Sequence, residues 1–122
     1  MADSKKLVFM VTHGPDNPEM AITPFVMAGA ASSADITVVM GFQGEGVRIV
    51  KKGVAETIAA SKVMPLSELL NTIREFGGTF LVASPAIKSR GISEQDLIEG
   101  AQVVNASRFV AEIMSATNVL IY

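Results

Sequence analysis

The chain has 122 residues, a formal charge of −2, 49% hydrophobic residues and a mean hydropathy of +0.41. That length suits one domain with one continuous core and is too short for two. It contains no cysteine, which excludes disulfides, thiolate zinc sites, iron–sulfur clusters and thiol nucleophiles, and its single histidine leaves little to hold a transition metal.

Charges of both signs are spread along the chain, and no basic cluster exceeds Lys51-Lys52. Nucleic acid is therefore not an expected partner, because phosphate binding needs a concentrated positive surface. The apolar runs are short, as in Leu7–Val11 and Ile36–Met40, well below the roughly 20 residues of a membrane-spanning helix. Lys5 and Lys6 precede only a short apolar run before Thr12-His13-Gly14, less than the hydrophobic region of a signal peptide, so a mature cytoplasmic chain with no membrane partner is expected. The high apolar content has two readings: a surface that meets another subunit, or a sheet buried on both faces.

Short β-branched runs alternate with longer amphipathic ones, the pattern of βαβ units around a mainly parallel sheet. The first strand spans Lys6–Thr12. Asn17-Pro18-Glu19 opens a helix in which Pro24 forces either a kink or a fresh start capped by Thr23. The second strand covers Asp35–Gly41, and Gly44–Val54 reads as a loop and a short helix ended by Gly53. Leu66, Leu69, Leu70, Ile73 and Phe76 form one stripe of a helix over Leu66–Phe76, which Gly77-Gly78 stops before a third strand at Thr79–Ser84. Ser93 ahead of Glu94, Gln95 and Asp96 resembles a capping box and predicts another helix. After a short fourth strand, Gln102–Val104, Asn105 caps a last helix whose Phe109, Val110, Ile113 and Met114 should face inward, and Asn118–Tyr122 is the fifth strand.

Ligands of open parallel sheets bind at the carboxyl ends of the strands, where loops and helix N-termini converge. That rule selects His13-Gly14-Pro15-Asp16-Asn17, Gly41 to Glu45-Gly46, and Ser84-Pro85-Ala86 on to Lys88, Arg90 and Gly91, with Asn105 at the same rim. His13 is a candidate general base or ligand donor, or a structural hydrogen-bonding group. The glycines of the second loop lack the order G-x-G-x-x-G and any G-K-[ST], so a tight turn is preferred to a nucleotide site. Ser84 lies in no nucleophile-elbow pattern. Lys88 and Arg90 hold a small anion or simply solvate a loop. The seven methionines suit core filling rather than a soft metal.

Three stretches together resemble the DsrE/DsrF-like family, small proteins associated with sulfur relay. They are Val8–Glu19 with Pro24-Phe25, Gly44–Arg48 with Lys51–Val54, and Leu81–Ile92 followed by Asp96–Ala101. The resemblance implies a three-layer α/β/α single domain over residues 1–122 with a five-stranded sheet, assembled as a homo-oligomer, a trimer or hexamer. Active members look like carriers whose cysteine, ahead of the K-x-R-G-I stretch, takes up sulfane sulfur; Ala83 and Ala86 occupy the corresponding positions here. The expectation is a binding or accessory protein linked to sulfur metabolism that is not itself a sulfurtransferase. It has no cofactor and no assigned catalytic residue, and its partner is a sulfur-relay protein or a small anion. The candidate ligand-binding residues are His13, Gly14, Ser84, Lys88 and Arg90. The alternative is an enzyme or sensor for a small anionic metabolite, with His13 as base and Arg90 as anion clamp.

Overall fold

Alternation along the strands divides the apolar side chains between two faces of one sheet. In the computed structural model, which describes residues 4–59 and 64–122, the strands are β1 (Lys6–Val11), β2 (Thr37–Phe42), β3 (Thr79–Ala83), β4 (Ala101–Val104) and β5 (Asn118–Ile121). Every pairing is parallel, and the spatial order is β4-β3-β2-β1-β5. The helices are α1 (Pro18–Ser33), α2 (Leu66–Glu75), α3 (Ser84–Ser89) and α4 (Ala106–Ser115), with 3-10 segments at Gly44–Val50, Ala55–Thr57 and Glu94–Asp96.

The strand order explains the layers. The chain steps from β1 to β4 in one direction and then crosses back past β1 to β5. Right-handed crossovers put helices of the forward steps on one face and the helix of the return step on the other. Accordingly Phe9, Val11, Met40, Phe42, Phe80 and Val82 pack with residues of α1, α2, α3 and the Gly44–Val50 segment, whereas Val8, Met10, Val39 and Leu81 pack against Phe109 of α4. The larger core centres on Phe42, whose ring lies 6.0 Å from Phe25 and 5.9 Å, edge-on, from Phe80. Leu66, Leu70 and Ile73 of α2 are buried in it, each contributing about 1.5–3 kcal/mol of apolar burial.

One pair of alternatives is narrowed and two local expectations are corrected. Pro24 sits inside one uninterrupted α1, capped by Asn17, whose side chain accepts from the Met20 N–H at 3.3 Å. Thr23 does not restart the helix, because its hydroxyl donates back to the Glu19 carbonyl at 2.8 Å. The capping box at Ser93 forms, but only a single 3-10 turn follows. The backbone there is diverted into pairing with the end of the Gly44–Val50 segment: the Lys52 N–H donates to Asp96 and the Ile98 N–H to Val50, both at 2.8 Å, around a Lys51–Leu97 bridge.

The second correction concerns α4. Phe109 is buried, but Val110, Ile113 and Met114 are 57%, 38% and 79% exposed. The apolar stripe of this ten-residue helix is wider than its contact with the sheet, so only the Phe109 side reaches the strands. Gly41 makes the room: a Cβ there would lie 2.6 Å from Cε1 of Phe109 and 2.9 Å from Sδ of Met10. Glu112, accepting from Lys6 Nζ and from Arg108 Nε, ties the helix to the start of β1.

Among the described residues no helix is long and apolar enough to cross a membrane.

Candidate functional site at the carboxyl edge of the sheet

β3 and β4 are neighbours whose exit helices, α3 and α4, lie on opposite faces of the sheet. Such a point opens a crevice at the carboxyl edge, here between Ala83-Ser84 and Val104-Asn105. Ala83 ends β3 and packs toward the α4 side, whereas Ala86, in the first turn of α3, packs against the larger core. Ser84 is half-buried at the start of α3 and Lys88 is exposed in its last turn. Asn105 is committed to capping α4, its Oδ1 accepting from the Arg108 N–H at 3.2 Å.

The first loop is self-contained. His13 Nδ1 lies 2.9 Å from Asp16 Oδ2, and the Gly14 N–H donates to Asp16 Oδ1 at 2.8 Å. The bonds from His13 and Gly14 hold the Asp16 carboxyl below its ordinary value of 3.8. Gly14 also lets the second loop approach: a Cβ on it would lie 2.6 Å from the Glu45 carbonyl oxygen and 3.7 Å from the Arg48 Cβ.

Glu45 links the second and third segments. Its Oε1 accepts from Arg48 Nε at 2.8 Å and its Oε2 from Arg90 Nε at 2.7 Å. Arg90 is anchored further, Nη1 donating to the Ala86 carbonyl and to Ser89 Oγ, both at 3.1 Å. These guanidinium bonds, with that of Arg90 first, depress the Glu45 carboxyl from its ordinary 4.5. Beneath it Gly46 lies against the end of β1, where a Cβ would sit 2.1 Å from the Val11 carbonyl oxygen. The backbone of this segment is thus wedged, and the Glu45 side chain projects from a fixed base.

Of the five candidate residues, Gly14 and Arg90 are brought to the same cluster, through Glu45, and His13 adjoins it through the first loop. No side-chain hydrogen bond among the described residues joins Ser84 or Lys88 to it. The strand-end rule included Glu45 within the second loop but gave it no role, and it left out Arg48. Their i, i+3 spacing was a usable signal, whereas the Glu45–Arg90 pair spans 45 residues and had none. Two surface cavities, of about 370 and 190 Å³, lie elsewhere: one runs beside α2 near Lys52 and Arg74, the other under the ends of α1 and α2 near Asp35 and Gly77.

The DsrE/DsrF-like family profile matches residues 5–121. The chain belongs to this family. It is 30% identical over 117 residues, 96% of this chain and 99% of the other, to the protein MJ0989 of Methanocaldococcus jannaschii. A second protein of that organism, MJ0760, is 26% identical over 105 residues, 86% of this chain and 38% of its own length. Among solved structures, the ychN protein from E. coli superimposes with a TM-score of 0.82 at 17% identity, over 97% of this chain and 99% of that one. MTH1491 from Methanobacterium thermoautotrophicum does so with a TM-score of 0.70 at 14% identity, over 98% and 100%. These similarities establish the DsrE-like fold.

Proposed function

We propose that this DsrE-like chain is an accessory or binding subunit linked to sulfur relay and not itself a carrier of sulfur. The observation that carries this reading is the absence of cysteine from the whole chain, with alanine at both positions of the β3–α3 corner, 83 and 86. A methyl group has neither nucleophile nor lone pair, so no persulfide can form there, and fold alone does not restore the chemistry. What the corner retains is its frame: the Arg90 guanidinium donates to the Ala86 carbonyl and joins α3 to the second loop through Glu45. A rigid corner of this kind suits recognition of another protein.

The test has two arms. Incubation with a persulfide donor leaves no one-sulfur mass adduct, and a stoichiometric, reductant-sensitive adduct refutes the reading. Native mass spectrometry with a cysteine-bearing DsrE-like carrier from the same cell detects a mixed complex, and failure to form one with any such carrier removes the accessory role.

A second reading, an enzyme or sensor for a small anionic metabolite with His13 as base and Arg90 as clamp, draws on one observation. Two guanidinium groups at this edge already hold a carboxylate.

A further inference from the structure

Arg48 and Arg90 come from segments far apart in the chain, yet both Nε–H groups converge on one carboxylate. Each guanidinium gives that carboxylate a single hydrogen bond, one to each oxygen, rather than the two-fold fork that guanidinium and carboxylate geometry permits. The charge count is equally incomplete: two cations face one anion, leaving the cluster at +1. The side chains of Glu45, Arg48 and Arg90 are 35%, 41% and 22% exposed, so an ion in solution reaches the cluster. The backbone beneath is wedged by the close approaches at Gly14 and Gly46, so the Glu45 side chain can swing aside without moving the loop, while Arg90 stays bonded to the Ala86 carbonyl and Ser89 Oγ.

We infer that Glu45 is a built-in ligand occupying a two-arginine site for a divalent tetrahedral oxyanion of the sulfate class, which binds by displacing it. The inference rests on the anion reading and adds to it the ligand's charge and the competing group. A dianion neutralises both guanidiniums where Glu45 neutralises one, and its four oxygens accept from Nε and Nη groups together. Displacement also breaks the side-chain bond between the Gly44–Val50 segment and Arg90 at the end of α3, so occupancy changes the surface beside the β3–α3 corner.

The experiment is a sulfate titration at constant ionic strength, balanced with chloride, following the side-chain Nε–H resonances of Arg48 and Arg90 by NMR in the wild-type protein, Glu45→Ala and Glu45→Gln. In both variants the two resonances shift together and saturably, with a midpoint at least tenfold lower than in the wild type. Arg90→Gln in the Glu45→Ala background abolishes the saturable response. Variants that give no saturable shift while their backbone spectra remain those of the folded protein overturn the site. A wild-type response that Arg90→Gln removes, but with the same midpoint as Glu45→Ala, leaves the anion reading standing and overturns the displacement.

Discussion

Replacing Gly46 by alanine tests whether the second loop is wedged as described. The added Cβ would lie 2.1 Å from the Val11 carbonyl oxygen, 2.8 Å from its carbon and 3.3 Å from the Thr12 nitrogen, all backbone atoms. That carbonyl cannot retreat freely, because it accepts the Gln43 N–H at 3.0 Å and lies in a strand paired on both sides. The Gly44–Val50 segment must lift instead, partly uncovering Val47, Ile49 and Val50, which are fully buried. Overpacking of this kind costs about 2–3 kcal/mol, and for a domain of this size each kcal/mol moves Tm by roughly 4 °C, so Tm should fall about 8–12 °C. Gly29→Ala, within α1, is the control: its Cβ would meet only Leu69 Cδ2 of α2, at 3.8 Å, and a helical glycine-to-alanine change there gains about 0.5–1 kcal/mol. Urea and thermal unfolding of the two variants measure both. A Gly46→Ala protein as stable as the wild type would show that the loop does not rest on β1 and that the Glu45 position is not fixed by it.

Phe109→Ala removes the buried anchor of α4 and should cost about 3–5 kcal/mol, with the amides of Ala106–Ser115 losing hydrogen-exchange protection first; unchanged protection would mean that the Lys6–Glu112–Arg108 contacts hold the helix. Glu112 is held below its ordinary 4.5 by Lys6 and then Arg108. A depressed native value stabilises the fold above the unfolded value and is lost as pH falls through the native one, so the urea midpoint should drop below about pH 4.5, and less steeply in Glu112→Gln; equal slopes would reject the assignment. Val110, Met114 and Ile121 expose 57%, 79% and 74% of their surface, and their burial in a trimer or hexamer should appear by native mass spectrometry, with Met114→Glu shifting the population to monomer. A wild-type protein that is monomeric at micromolar concentration would refute that assembly.

What the sequence determined by itself was everything set by short-range pattern. The five strands and their order along the chain, the α2 stripe as far as Ile73 but not Phe76, which is 61% exposed beyond the helix end, and the caps at Asn17 and Asn105 follow from periodicity and side-chain chemistry within a few residues. The missing cysteine was equally plain, and it alone bounds the sulfur chemistry. Tertiary structure decided what depends on partners distant in the chain. The turn after Ser93 stops short of a helix because Val50 and Lys52 claim its backbone groups. The α4 stripe is half exposed because the return crossover lays a single short helix on that face. Glu45 became central to the site only when folding brought Arg90 to it from 45 residues away. Local preference acts over one or two turns, whereas an ion pair between loops is specified by the geometry of the whole sheet that carries them.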